Sequence, residues 1–91
     1  MKTQFQNKIE SLPIGVTTLL IDGFWMELEK KKKGRIKLWR KITFLGRLTV
    51  YCFIQKVESD RIICKDTSNQ NCEFSINQIK FKQKDGTYKT L

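Results

Sequence analysis

Between Lys30 and Arg47 lie nine basic residues, Lys30, Lys31, Lys32, Lys33, Arg35, Lys37, Arg40, Lys41 and Arg47, and no acidic one. The rest of the 91-residue chain balances nine basic residues against nine acidic ones, so this one stretch carries the whole net charge of +9. An even surplus would speak only of solubility, whereas a confined one forms a patch. Aromatic rings are interleaved with the charge: Trp25, Trp39 and Phe44 sit in or beside it, and Tyr51 follows. Ammonium and guanidinium groups neutralise phosphates and release their counterions, and exposed rings stack on unpaired bases. A nucleic-acid site that ignores sequence needs both. A second basic row, Lys80, Lys82 and Lys84, alternates with Ile79 and Phe81 near the other end of the chain.

The other reactive side chains argue against catalysis. With no histidine in the chain, imidazole-based acid and base chemistry, Ser-His or Cys-His nucleophile pairs and imidazole metal sites are all excluded. Glu27 and Glu29 alternate like a paired-acid site, but beside Lys30 to Lys33 they are expected to form cross-strand ion pairs. Asp22-Gly23 and Asp85-Gly86 are turn chemistry, and the five glycines stand isolated rather than in a phosphate-binding loop. Cys52, Cys64 and Cys72 form no CxxC pair and match neither a zinc knuckle nor a redox motif. They are expected to be buried thiols in a reducing, cytoplasmic setting, with a Cys64–Cys72 disulfide across a hairpin as the alternative. No enzyme activity, no metal and no cofactor are expected.

The elements that position these residues follow from spacing. Thr3 with Gln6 is a capping-box pattern, and Phe5, Ile9 and Leu12 share one face, which predicts a short helix over 3–12, stopped by Pro13 and Gly15. Beyond it, runs rich in β-branched and aromatic residues between turn signals predict strands over 16–21, 24–31, 35–44, 47–57, 61–66, 72–76 and 79–83. Alternation is clearest over 35–44: Ile36, Leu38, Ile42 and Phe44 fall on one side, interrupted by Arg40. Arg35, Lys37, Trp39, Lys41 and Thr43 fall on the other. Trp39 thus lies on the charged side. Lys30 to Gly34 reads as a hairpin tip, and 84–91 as a tail.

One core is all that 91 residues can fill. Many short strands with one N-terminal helix point to a mainly β single domain over 1–91, a small, strongly bent antiparallel β-barrel of the SH3, Sm or OB kind. Closure avoids sticky edges, and a core this small makes a homo-oligomer plausible. The apolar strand Tyr51-Cys52-Phe53-Ile54 should be covered on both faces or paired with another subunit. Met1 to Gln4 opens no apolar leader segment, and no apolar run approaches the roughly 20 residues needed to span a bilayer, so no membrane association is expected.

Phe5-Gln6-Asn7-Lys8-Ile9 followed by Val16 to Gly23 resembles the opening of the bacterial Sm-like RNA chaperones, the Hfq group. Glu58 to Asp66 and Phe74 to Ile79 resemble that family's third strand and closing pair of strands. Residues 24 to 45 have no counterpart in the pattern, and the family's Tyr-Lys-His step is absent, so its binding residues are not carried over. The resemblance implies a five-stranded barrel with a helical cap, assembled into a ring that binds RNA. Residues and resemblance lead to one expectation, a nucleic-acid-binding barrel with RNA or single strands favoured. Its site would draw on Lys30, Lys31, Lys32, Lys33, Arg35, Lys37, Trp39, Lys41, Arg47, Lys80 and Lys82. The alternative is an interaction module or inhibitor, or a small subunit of a larger assembly, whose basic face meets an acidic protein.

Overall fold

Thr3 sets the start of the first element. Its hydroxyl accepts the Gln6 backbone N–H (3.3 Å), and Gln6 Oε1 accepts the Thr3 backbone N–H (2.8 Å), the reciprocal box that opens helix α1 (Gln4–Glu10). Seven residues are too few to be helical alone. Packing holds them: Phe5 and Ile9 are fully buried, Phe5 meets Phe81 edge-on at 6.5 Å, and Gln6 Nε2 donates to the Val57 carbonyl (3.0 Å).

The computed structural model describes residues 1–32, 36–42 and 48–91, with the backbone alone over 40–42 and 48–51. Its strands are β1 (Gly15–Ile21), β2 (Phe24–Lys30), β3 (Ile36–Ile42), β4 (Leu48–Val57), β5 (Arg61–Asp66), β6 (Asn71–Ser75), β7 (Ile79–Lys82) and β8 (Tyr88–Lys89). The first six form an antiparallel meander. A 3-10 turn over Ile76–Gln78 then returns the chain so that β7 pairs with β1, giving the order β6-β5-β4-β3-β2-β1-β7-β8. The chain is thus mainly β with one short N-terminal helix, as expected, and the sheet is strongly bent into a half-barrel. Its order leaves β6 and β8 at opposite ends, with no ladder joining them among the described residues. The apolar strand β4 is covered along both edges, by β3 and by β5.

Two local features fix which side chains face where. Asp22 (φ 51°) and Gly23 (φ 82°) both adopt positive φ between the paired residues Ile21 and Phe24. This is the tight primed turn whose twist matches that of the flanking strands, and it sets the β1–β2 register. In β4 the pairing shifts between Ile54 and Lys56, so Gln55 is the extra residue of a bulge. Past the bulge the alternation is reset: Lys56 pairs with Ile63, and Val57 pairs with the buried Ile62.

The concave side holds the core. Leu19, Ile21, Met26, Leu28, Leu38, Cys52, Ile62, Cys64, Ile79 and Phe81 are buried there together with Phe5 and Ile9 of the helix. No helix among the described residues is long and apolar enough to cross a membrane.

Candidate nucleic-acid interface

On β1, β2, β3, β4, β5 and β7 buried residues point to the core, and the described residues that alternate with them line the outer face. On β3 these are Lys37 and Trp39, because Leu38 between them is fully buried. Lys37 stands opposite Glu29 of β2 and Phe53 of β4, and Trp39 stands opposite Glu27 and Tyr51. The Lys37 ammonium lies 6.0 Å from the centre of the Phe53 ring, a cation–π distance. Phe53 in turn faces Lys65 of β5. A half-buried aromatic and basic strip therefore crosses β3, β4 and β5, with Trp39 on the charged side as its alternation demands.

The acidic residues border the strip on its β2 side. The Thr18 hydroxyl donates to the Glu27 carboxylate, lying 3.0 Å from Oε1 and 2.9 Å from Oε2. Glu29 lies in register with Lys37. These carboxylates put negative charge beside the basic residues on the β2 side of the strip.

The predicted basic residues separate into groups. Lys31 and Lys32 are exposed beyond the end of β2. Lys80 and Lys82 are exposed on β7, alternating with buried Ile79 and Phe81. Lys80 is in register with Leu20, which is itself opposite Trp25 of β2. Lys41 pairs with Thr49 through the β3–β4 ladder. Lys33, Arg35 and Arg47 lie outside the described residues, as does Phe44. Lys30 stands apart from all of these. It follows the inward alternation of Met26 and Leu28, and its ammonium donates to the carbonyls of Glu10 and of Leu12 (3.2 Å), at the C-terminal end of α1. A cation there satisfies carbonyls that have no partner within the helix.

Two residues beside these groups are not among those the sequence singles out. Tyr88 lies on β8, in a segment expected to be a tail, and its ring meets Trp25 edge-on with centroids 4.9 Å apart and planes at 76°. The signal was present in Asp85-Gly86, a turn that closes a second short strand: Gly86 has φ 90°, and Asp85 Oδ1 accepts from the Thr87 N–H (3.0 Å) and hydroxyl (2.6 Å). Lys65 was the other, visible only once Ile62 and Cys64 are known to face inward.

No family model, curated protein or solved structure matches the chain. The chemistry has to be read from the side chains themselves.

The thiols belong to the fold. Cys64 and Cys72 stand directly opposite each other, as the hairpin predicts, and Cys52 and Cys72 approach to 3.7 Å between sulfurs, but all three are free. Burial pushes Cys64 up to about 12, and burial followed by the contact with Cys72 pushes Cys52 up to about 12, so neither is a thiolate near neutral pH. At the β4–β5 turn, an open hollow of about 380 Å³ is lined by Gln6, Lys56, Glu58, Ser59, Asp60 and Arg61. Three of its charges pair around one carboxylate: Arg61 Nε lies 2.6 Å from Glu58 Oε1, and Lys56 Nζ lies 3.5 Å from Oε2 of the same group. The Arg61 hydrogen bond holds the Glu58 carboxyl below its ordinary range, the opposite of what a proton donor needs.

Proposed function

We propose that the protein binds nucleic acid without catalysing a reaction, with single strands, RNA above all, lying across the outer face of the half-barrel. The observation that carries this reading is the alignment of Lys37, Trp39 and Phe53 on one face, with the Lys37 ammonium over the Phe53 ring. Lys31 and Lys32 at the neighbouring tip and Lys80 and Lys82 along β7 add positive charge around it. Phosphates meet the lysines and unpaired bases meet the rings, the two contacts of sequence-tolerant strand binding.

Single strands are favoured over a duplex for a structural reason. Readout of the major groove by a helix needs one that is free to enter it. Here α1 buries Phe5 and Ile9 against the sheet, and an exposed ring on the outer face such as Trp25 suits unstacked bases. The likeness of residues 5–9 and 16–23 to the Sm-like chaperones points the same way, since these segments form α1, β1 and the turn after it.

The test is fluorescence anisotropy of labelled 12-nucleotide RNA, the matching DNA single strand and a DNA duplex, each titrated over a range of salt. The expected order is RNA and single-stranded DNA above duplex, with affinity falling as salt rises. A parent protein that binds none of the three at low salt overturns the reading and puts an acidic protein partner in its place.

A further inference from the structure

Strands three places apart in a flat sheet lie about 14 Å from each other, and β8 is three places from β2. Yet the Tyr88 and Trp25 ring centres are 4.9 Å apart. The long rings reach across only because the C-terminal hairpin bends toward β2: β7 pairs with β1 at just Leu20 and Ile21 before it departs. The contact leaves the larger ring open, with Trp25 58% exposed. Burial of a tryptophan in the core of a small protein is strongly favourable, so a ring held at an angle to a second ring and still open to water is an available stacking surface.

We infer that Trp25 and Tyr88 form a second base-stacking centre for single-stranded nucleic acid, with Lys80 and Lys82 as its phosphate contacts. The inference rests on the function proposed above and extends it to the opposite side of β2. Charge complementarity selects the occupant. Both lysines are exposed and separated only by the buried Phe81, and the nearest acid in sequence, Asp85, has its carboxylate held by Thr87 within the turn. The two planes at 76° make a corner in which a base stacks on the indole and meets the edge or hydroxyl of the phenol.

This second centre is continuous with the first. Trp39 is in register with Glu27, so Trp25, two residues along β2, is its diagonal neighbour at about 7–8 Å between backbones. One strand can therefore pass from the β7–β8 hairpin over Trp25 and on to Trp39 and Phe53. The acidic pair Glu27 and Glu29 lies beside this path, and the bases rather than the phosphates must face that part of the sheet.

The chain has two tryptophans, so the variant Trp39→Phe leaves Trp25 as the sole indole emitter. Titrating it with 12-nucleotide oligouridine should quench its emission over the concentration range in which anisotropy of the labelled oligonucleotide reports binding. Trp25→Ala and Tyr88→Ala should each weaken the parent's binding of the 12-mer by about 5- to 150-fold, and Tyr88→Phe should restore most of that loss. Binding by anisotropy with no quenching of Trp25, or alanine variants that bind as the parent does while Trp39→Ala is weakened, overturns this inference and leaves the first centre standing. Absence of any binding by the parent removes the underlying reading and this one with it.

Discussion

Lys30 separates two kinds of basic residue within one run of four lysines, and replacing it by methionine shows which kind it is. The ammonium donates to the Glu10 and Leu12 carbonyls at the end of α1. Lys30→Met keeps the apolar stem against the strand and removes only the charge and the donors. Hydrogen bonds from charged groups contribute about 1.5–3 kcal/mol when well shielded, and a cation at a helix C-terminus about 0.3–1 kcal/mol when exposed. Lys30 is half-buried, so a loss of about 1–2 kcal/mol lies between these limits. For a domain of this size that is a fall in Tm of roughly 4–16 °C. Urea unfolding followed by circular dichroism measures the loss, and anisotropy with a 12-nucleotide RNA, taken well below the transition, should give the parent's affinity and salt slope. Lys32→Met should do the reverse, leaving stability near the parent's and lowering affinity. A Lys30→Met protein as stable as its parent but weakened toward RNA would refute the assignment, and would mean that the ammonium leaves the helix to contact phosphate.

Replacing Lys31, Lys32, Arg35 and Lys37 together by glutamine should weaken binding to all single strands about equally. The slope of log affinity against log salt, read from salt titrations, should fall by about 0.7 for every lysine or arginine that had neutralised a phosphate. Glu29→Gln should act in the opposite direction, tightening RNA binding by removing a negative charge in register with Lys37, which the same titration reports at low salt. Cys52 and Cys64 should resist a disulfide reagent at pH 8 in the folded protein and react fully in urea. Because burial raises the folded pKa of Cys52 and Cys64 to about 12, above their unfolded values, their contribution to stability is complete below about pH 9 and is lost as pH rises toward 12. A variant with alanine at all three positions should lose that pH dependence and keep its RNA affinity.

Much of the fold is written in short-range patterns. Thr3 and Gln6 specify the helix start, Asp22-Gly23 specifies the first hairpin, and alternation assigns Leu38 to the core and Trp39 to the opposite face, where it is half-buried. What alternation cannot supply is any contact between strands that are not neighbours. The 3.7 Å approach of Cys52 to Cys72 skips β5, and that of Tyr88 to Trp25 skips β7 and β1. The first arises from the curl that closes the concave side and the second from the lean of the C-terminal hairpin toward β2, both properties of the assembled strands rather than of any one of them. The bulge at Gln55 is a further case, since an unbroken period of two would turn Lys56 inward with Ile54. The identity of Lys30 as a helix-binding residue was equally hidden: charge density grouped it with Lys31 and Lys32, and only the register Lys30↔Gly15, next to the chain leaving α1, separates it.

The curl also links the fold to the proposed activity. A flat sheet with Trp25, Trp39 and Phe53 on one side would present an aromatic surface prone to pairing with another sheet. Bending the inner face around α1 spreads the outer side chains apart, and lysines stand among the rings: Lys37 over Phe53, Lys65 opposite it, and Lys80 one strand from the Leu20–Trp25 pair. Charge at these positions keeps the rings solvated and like-charged copies separate, while a polyanion cancels the charge and gains access to the rings in the same step. The helix is therefore more than a lid on the core. By filling the concave side with Phe5 and Ile9 it holds the curvature that spaces the outer residues, and Lys30 fixes the end of that helix to the strand next to Trp39. On the proposed reading, stability and binding divide between the inner and outer faces of one sheet, and of the lysines at the end of β2, Lys30 serves the former while Lys31 and Lys32, exposed just beyond the strand, serve the latter.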